Sequence, residues 1–485
     1  MSALLPAQRI PGLLVALLGL GLAVGVVGAL AVAVLAPEWT WVPPALGVGA
    51  LLAWFGARGW ERHLRHPLAP LAGVFVLASL SLYRSAGITP VEAVFALYLY
   101  PYLAVWYGLR VFVYRERLVR TVQDAAMAIV IAYPFAALVL TVLFRGSIAL
   151  AVSDLIAFSM FALYFPFREA CARYERGIVL LVGGLLLFAC VTFVRNLLAL
   201  QAAIATASAA WEIARVRVTS NEMALMLGSV FCAGLAAQAR SWRTTGLYAI
   251  GFAALAVGLV LTQWRAYYVS FAIAIVLVMV LLRGRARMRL MLLTGLGGLG
   301  ASLLVFLLFG DSVILFAYGI LDRLLSIGTA TTVDVSLLNR FLESRAVLER
   351  IWESPILGHG PGVQFGFHDI TSGGLWIKPY AHNGFLTIAF KYGLVLLTVF
   401  LFSWGRALLD SYQAGRSAVL SRSERTIGLV ICASLIALIP SFAVSAPLTT
   451  GDTVLCFTLL LAMSSGLRSR ANRRPGDRQP AQEAS

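Results

Sequence analysis

The sequence is dominated by long runs of apolar residues separated by short clusters of arginine. A helical run of about 20 apolar residues matches the hydrocarbon thickness of a bilayer. Apolar residues make up 60% of the 485 residues and charged residues only 12%, whereas a soluble protein needs about a quarter. The apolar runs do not alternate with polar residues, which excludes a transmembrane β-barrel. The chain is therefore predicted to be an all-α, polytopic transmembrane helical protein.

The apolar runs predict about 12–14 membrane spans within a single domain over residues 1–466. The fourteen candidate spans are approximately 12–36, 42–57, 68–83, 91–108, 125–144, 147–167, 178–194, 221–238, 245–263, 266–282, 291–310, 382–403, 427–445 and 448–466. Residues 467–485, rich in Arg, Pro and Gln, are predicted to form a disordered basic cytoplasmic tail.

The distribution of positive charge predicts the orientation. Placing the N-terminus inside puts 26 of the 38 lysines and arginines on the cytoplasmic side, as the positive-inside rule requires. We therefore predict an N-in, C-in topology. Because the basic residues form short clusters between spans, the net charge of +16 indicates membrane lipids rather than a nucleic acid as the partner.

Two segments are predicted on the outer side, a smaller one at 195–218 and a large loop at 311–381. Long loops in a compact fold are usually functional. Positive charge is disfavoured on this side, so a concentration of basic residues there indicates a bound anion. The basic residues in or beside these segments are Arg215, Arg217, Arg265, Arg323, Arg340, Arg345, Arg350 and Lys378, and Lys391 follows within a span.

Residues 336–354, in the centre of the large loop, are predicted to form an amphipathic helix on the outer membrane surface. Ser336 is placed to cap this helix and Pro355 to end it. The expected apolar face consists of Leu337, Leu338, Phe341, Leu342, Leu348, Ile351 and Trp352. The expected polar face consists of Arg340, Glu343, Arg350 and Glu353.

His382 and Asn383 precede the span that follows the large loop. One interpretation is an interfacial histidine beside an asparagine that caps the helix. The other is a general base at the membrane boundary, because a neutral imidazole can accept a proton from a hydroxyl group. The residues alone leave both open.

Arg265 separates two apolar runs with almost no loop between them. It could be a boundary residue whose guanidinium extends to the membrane surface. It could also bind a diphosphate, since the planar guanidinium fork matches two phosphate oxygens at once. Its position on the side that disfavours positive charge favours the second interpretation.

The run Gly358-His359-Gly360-Pro361-Gly362 could be an anion-binding nest of backbone amides or, as we favour, a tight turn. His359, His368 and Asp369 on this loop make only a weak metal-binding pattern. We therefore expect no metal and no cofactor.

Two acids, Asp154 and Asp452, lie in apolar surroundings and could mark a transport path. We expect each instead to lie near a membrane face and to accept hydrogen bonds from the backbone or from arginine.

Several of these motifs, in this order, resemble the O-antigen ligase and polymerase superfamily. Asn339-Arg340 lies in the first turn of the amphipathic helix, Pro355 to Gly362 form the turn that ends it, and Ala381-His382-Asn383 opens the next span. Gln263-Trp264-Arg265-Ala266 resembles the upstream arginine motif of that family. Thr219-Ser220-Asn221 resembles its asparagine at an earlier helix start.

The resemblance implies a GT-C-like, metal-independent glycosyltransferase in the bacterial inner membrane, with its active site facing the periplasm. Such enzymes transfer a glycan from a polyprenyl-diphosphate carrier to a hydroxyl acceptor on a glycan or a lipid-linked molecule. In this sequence Arg265 and Arg340 would bind the diphosphate, and His382 would act as the base or position the acceptor. Further substrate contacts are expected from Arg215, Arg217, Asn221, Arg345, Lys378 and Asn383.

Ligase and polymerase activities share these motifs and differ in the acceptor. A lipid-linked oligosaccharide flippase or another secondary transporter is the alternative from a different class, and it predicts ionisable residues at mid-membrane and related halves. A third alternative is a peptidoglycan-type polymerase that depends on an outer acid such as Asp369.

Overall fold

A computed structural model describes residues 68–82, 90–206, 221–309, 335–370 and 372–473. The predicted spans at 12–36 and 42–57, Arg215 and Arg217, and most of the predicted tail lie outside these residues. The chain divides into two compact units, residues 1–117 and residues 118–485. The described helices of the first unit are α1 (Leu68–Ser81) and α2 (Pro90–Gly108), and α2 continues into a π-helical turn (Leu109–Val113).

The described part of the second unit is almost entirely helical. Its α-helices are α3 (Val122–Ala136), α4 (Leu138–Leu143), α5 (Ile148–Ser159), α6 (Tyr164–Arg173), α7 (Gly177–Thr206), α8 (Glu222–Gln238), α9 (Trp242–Leu261), α10 (Arg265–Leu281), α11 (Arg285–Phe309), α12 (Val335–Glu353), α13 (Gly384–Arg416), α14 (Arg422–Val444) and α15 (Gly451–Ala471). Short 3₁₀ turns lie at Met160–Leu163 and Pro447–Thr449, and strands β1 (Phe365–His368) and β2 (Leu375–Lys378) form one antiparallel hairpin.

The predicted fold class, all-α and polytopic, is confirmed. Seven helical segments among the described residues are long and apolar enough to cross a membrane. Each predicted span from residue 68 onward coincides with a helix. Helix α7 extends to Thr206, into the predicted outer segment at 195–218, and α15 continues to Ala471, a few residues into the predicted tail.

Local sequence signals determine where several helices begin. The Asn383 side chain accepts a hydrogen bond from the Leu386 amide and caps α13. Ser421 and Glu424 form a capping box at the start of α14. Each cap satisfies a backbone donor that has no partner within its own helix. Asn383 therefore has the capping role that its sequence position predicted.

Aromatic residues fill the space between the last three helices. Trp404 of α13 lies 4.7 Å from Phe442 of α14 and 4.9 Å from Phe457 of α15, measured between ring centroids. Helix α14 also packs against α8 and α10. Burial of these rings holds α13, α14 and α15 together, and α10 packs on α14, so the ends of these helices present loop residues at fixed positions.

The large loop has a small hydrophobic core of its own. Val347 and Ile351 of α12 pack with Phe365 and Phe367 of β1 and with Phe390 of α13. The hairpin was not predicted from the sequence, since its two strands are only four residues each. This core fixes α12 against the start of α13.

Helix α12 begins one residue before the predicted start, so Ser336 lies in its first turn. The helix ends at Glu353, before Pro355, as expected. One assignment to the polar face is wrong, because Glu343 is only 1% exposed. An outward apolar stripe remains on the helix and consists of Leu338, Phe341, Leu348 and Trp352, which are all exposed. Contact of this stripe with lipid headgroups stays a prediction.

Candidate functional site

His382 and Glu343 form the centre of the candidate site. Nδ1 of His382 lies 2.7 Å from Oε2 of Glu343, which joins the start of α13 to the middle of α12. The Glu343 side chain is almost fully buried, whereas about a third of the His382 side chain is exposed. When Nδ1 donates to the carboxylate, Nε2 is the acceptor of a neutral imidazole. One ring nitrogen is thus anchored, and the imidazole remains accessible.

Lys378 at the end of β2 brings a positive charge to the same carboxylate. Its Nζ lies 3.6 Å from Oε1 of Glu343, an ion-pair distance beyond hydrogen-bond reach. The ammonium also lies over the rings of Phe367 and Trp376, 4.9 and 5.1 Å from their centroids. Cation–π contacts of this kind hold the ammonium beside the carboxylate. The hairpin therefore positions Lys378 next to the pair of His382 and Glu343.

Arg340 lies one turn before Glu343 on α12 and reaches the end of α14. A guanidinium nitrogen donates to the Val444 carbonyl at 3.1 Å. The last carbonyls of a helix receive no hydrogen bond from within the helix, so this contact provides one of them with a donor. The half-buried Arg340 side chain is thereby directed to the last turn of α14.

The start of α10, at Arg265, packs against the same turn. Ser441 of α14 bonds to Ser270 with 2.6 Å between their hydroxyl oxygens, and its hydroxyl donates to the Ala266 carbonyl at 3.4 Å. Ser441 lies one turn before Val444, the residue that accepts from Arg340. The two predicted diphosphate-binding arginines thus belong to segments that meet at the end of α14.

The residues after His382 approach this turn as well. A β-carbon added at Gly384 would lie 3.1 Å from the Phe442 ring and 3.4 Å from the Phe442 carbonyl. Three segments that are distant in sequence, carrying Arg265, Arg340 and His382, therefore contact the last turns of α14. That all three side chains bind one ligand stays a prediction.

Two other predicted contact residues lie elsewhere. The Arg345 side chain is 72% exposed and pairs with Glu349 along α12 at 3.3 Å. Asn221 is buried at the start of α8, in the left-handed conformation, and its side-chain amide donates to Thr192 at 3.3 Å. Their roles in substrate binding stay predictions.

The glycine-rich segment forms a turn whose amides are already bonded. Gly358, Gly360 and Gly362 all have positive φ, a conformation that other residues rarely adopt. The Gly360 amide donates to the Lys391 carbonyl at 2.8 Å, and the Gly362 amide donates to Asp154 at 2.8 Å. Because these amides have protein acceptors, the geometry favours the turn interpretation over the anion nest.

This turn enters a break in α13. Gly393 has φ 73° and ψ 176° inside the helix, which leaves carbonyls of the preceding turn without helical donors. The His359 amide donates to Phe390 O at 3.0 Å, and the Leu394 amide donates to Pro355 O at 2.8 Å. The loop thus replaces the hydrogen bonds that the kink removes from α13.

A buried ion pair secures the turn. Lys391 Nζ and Asp154 Oδ2 are 2.5 Å apart, and the lysine side chain is only 2% exposed. The same carboxylate oxygen accepts the Gly362 amide. Asp154 therefore accepts from the backbone, as the sequence predicted, and from a lysine in place of the expected arginine.

The three residues considered as metal ligands have different surroundings. His359 is fully buried and packs against the rings of Phe144 and Phe390. His368 ends β1 with an exposed side chain. Asp369 accepts the Ser372 amide at 2.8 Å and closes the hairpin. Among the residues that the structure describes, no group of three or more His, Cys, Asp or Glu side chains is arranged to hold a metal ion.

The stretch that carries this geometry also carries a recognisable family pattern. Residues 250–401 match the family model described as O-antigen ligase. The match confirms the resemblance to the O-antigen ligase superfamily over that stretch. It includes Arg265, Arg340 and His382, and it also includes Glu343 and Lys391. No curated protein matches the chain.

Within residues 250–401, the contact of Glu343 with His382 was not predicted from the sequence. Glu343 lies three residues after Arg340, on the same side of the predicted helix. The polar pattern placed it towards solvent because a helix pattern alone does not reveal the hairpin that covers it. The pairing of Lys391 with Asp154 was missed for a similar reason, since 237 residues separate the two.

Proposed function

We propose that the protein is a membrane glycosyltransferase that transfers a glycan from a polyprenyl-diphosphate carrier to a hydroxyl acceptor on the periplasmic side. The family match supports an O-antigen ligase or polymerase type of enzyme. The proposed donor is a polyprenyl-diphosphate-linked glycan, and the proposed acceptor is a glycan or a lipid-linked molecule. No metal is required in this mechanism.

The observation that carries the proposal is the contact between Nδ1 of His382 and the buried carboxylate of Glu343 at 2.7 Å. A carboxylate that accepts from Nδ1 fixes the ring orientation and the tautomer, so that Nε2 can accept a proton. It also stabilises the imidazolium that forms after proton transfer. A histidine that only marked the membrane boundary would need no such buried partner.

In the proposed reaction, Nε2 of His382 accepts the proton of the acceptor hydroxyl as its oxygen attacks the anomeric carbon. A new glycosidic C–O bond forms, and the bond from the anomeric carbon to the diphosphate oxygen breaks. The polyprenyl diphosphate leaves with the bonding electrons. Arg265 and Arg340 stabilise the negative charge that develops on this leaving group. The two guanidinium groups therefore supply the positive charge that many transferases obtain from a metal ion.

One observation favours the transporter alternative, namely the buried pair of Lys391 and Asp154 within the membrane domain. Buried ionisable residues often mark a transport path. Here the carboxylate is also bonded to the Gly362 amide, so it braces the loop that packs against α13. A bracing role explains both contacts, and we therefore favour the glycosyltransferase.

Transfer from a purified lipid-linked donor, with donor binding measured separately, tests the assignment of roles. His382→Ala should bind the donor normally and lose about 10²–10⁴-fold in turnover, the usual contribution of a general base. Arg340→Ala should weaken donor binding as well as turnover, because a charge-assisted contact is lost. Arg340→Lys should recover part of the loss, since a point charge cannot reproduce the planar fork.

Arg350→Ala is a matched control, because this exposed arginine of α12 pairs with Glu353 at the far end of the helix. It should transfer at nearly the rate of the unmodified protein. Normal turnover by His382→Ala would rule out the proposed base. Uptake of lipid-linked glycan into vesicles without any transfer would favour the flippase.

A further inference from the structure

A second basic site lies at the end of the second unit opposite the candidate site. The C-terminal ends of α8, α10 and α13 and the N-terminal end of α14 surround a cleft of about 240 Å³. Helix α10, which carries Arg265 at its start, has 17 residues, so the cleft lies roughly 25 Å from the start of that helix. The topology prediction assigns this end to the cytoplasmic face.

Four arginines line the cleft, and among the described residues no acidic side chain lines it. The arginines are Arg283, Arg416, Arg422 and Arg425. The nearest acid in sequence is Glu424, whose carboxylate bonds to Arg470 at 2.7 Å and to the Ser421 amide. Several guanidinium groups around one cavity repel one another unless an opposite charge is supplied. Within the part of the chain that the structure describes, no acidic residue of the lining supplies that charge, so an anionic ligand could supply it.

The arginines differ in how they are held. Arg422 donates to the side chain of Gln238, which itself lines the cleft, and Arg416 lies over the Tyr412 ring at 5.4 Å. In the part of the chain that the structure describes, the side chains of Arg283 and Arg425 have no hydrogen bond or ion pair. Two anchored guanidinium groups and two unengaged ones together offer many donors to a single anion.

A general bias of positive charge towards the cytoplasm does not account for this arrangement. The positive-inside rule requires basic residues near the span ends, without regard to which cavity they line. Arg287 and Arg289 satisfy that rule, and they donate instead to the carbonyls of Leu282 and Ala239. The four cleft arginines come from three helix ends and converge on one space.

The other lining residues indicate where the anion comes from. Leu281, Leu282 and Leu429 line the cleft beside the arginines. The cleft lies where apolar helices end, at the depth at which phospholipid headgroups meet a membrane protein. A site with arginines and leucines side by side suits a phosphate group joined to an apolar tail. A free phosphate would gain nothing from the leucines.

We propose that this cleft binds the phosphate of an anionic phospholipid headgroup. Arg283 and Arg425 contact the phosphate oxygens, and the partly exposed Leu281 contacts the first part of the acyl chains. The site is separate from the proposed glycosyltransferase site. It lies largely outside residues 250–401, since only one of its four arginines falls within the matched stretch.

Binding of a short-chain phosphatidylglycerol to the purified full-length chain in neutral detergent tests this proposal. The double variant R283Q/R425Q should bind it at least about tenfold more weakly, because two charge-assisted contacts are lost. The matched control is R240Q/R243Q, which removes two arginines from the same side without altering the cleft lining. The control should bind within about twofold of the unmodified chain.

Inorganic diphosphate, added as a competitor, distinguishes the source of the anion. Failure to displace the lipid at equal concentration supports the headgroup, whereas displacement at equal concentration overturns the lipid assignment in favour of a free anion. If R283Q/R425Q and R240Q/R243Q lose lipid affinity equally, binding depends only on the general surface charge, and the proposed site is overturned. R283K/R425K keeps both positive charges and tests whether the loss in the Gln variant comes only from misfolding. The supporting result is lipid binding that is stronger than in R283Q/R425Q and weaker than in the unmodified chain.

Discussion

The two ends of helices α10, α13 and α14 differ in whether a buried acidic side chain accompanies the positive charges. At the candidate site, Lys378 and His382 share the buried carboxylate of Glu343. At the opposite end, four arginines surround a cleft whose lining, over the residues that the structure describes, includes no acidic residue. A buried internal partner fixes the geometry of a side chain before any ligand binds. For the arginine cluster, the proposed partner is an anion from outside the chain.

A base and a headgroup site have different chemical requirements. A base must be oriented precisely, because proton transfer depends on the distance and angle to the hydroxyl group. A headgroup site needs charge and donors, and it tolerates flexible side chains. The internal carboxylate of Glu343 suits proton transfer at the candidate site. The described lining of the arginine cleft lacks such a carboxylate, which suits anion binding there.

Removing the internal carboxylate should have the largest effect. Glu343→Ala is expected to lower turnover by about 10²-fold or more, approaching the loss expected for His382→Ala, because Nδ1 loses its acceptor. Glu343→Gln retains an acceptor oxygen and should keep more activity. Steady-state transfer kinetics, with kcat and KM determined separately, provide the measurement.

The matched control is Glu349→Ala, since this glutamate is 69% exposed on the same helix. An exposed ion pair contributes little, so turnover should stay close to that of the unmodified protein. Should Glu343→Ala transfer at the normal rate, the internal carboxylate would not be what distinguishes the two ends.

Breaking the buried pair of Lys391 and Asp154 should have the next largest effect. Lys391→Met leaves the Asp154 carboxylate, which is 14% exposed, without its counter-charge and should lower the free energy of unfolding by about 3 kcal/mol, the lower end for a buried pair. The double variant Asp154→Asn/Lys391→Met should lose less, because no charge is left unpaired. Thermal unfolding of the single and double variants in detergent measures the coupling.

Additive losses in that cycle would show that the pair is not coupled and would remove the brace of the glycine-rich turn. Retention of transfer by the double variant is also expected. That result would separate stabilisation of the turn from the chemistry at His382.

The smallest effect is expected from removing divalent metal ions. Because Arg265 and Arg340 supply the proposed charge stabilisation, a chelator should leave transfer unchanged. Transfer is measured with and without the chelator, followed by addition of excess divalent cation. Loss of activity that the cation restores would revive the metal site at His359, His368 and Asp369.

Residues with local signals were predicted well. The apolar spans from residue 68 onward, the capping role of Asn383 and the end of α12 before Pro355 follow from patterns within about 20 residues of sequence. The burial of Glu343 was not predicted, because it depends on a hairpin of two short strands. Such strands give too few alternations to be recognised from their pattern.

The sequence by itself determined that the chain is an all-α protein with repeated membrane-spanning helices. The orientation that its charges indicate stays a prediction. Hydrocarbon imposes those properties on every segment separately, so each can be inferred locally. Only the tertiary structure decided that Glu343 would partner His382 and that Asp154 would partner Lys391. It alone also brought four arginines from three helix ends to one cleft. Those contacts depend on how distant helices pack, and packing depends on side-chain shape that no single segment encodes.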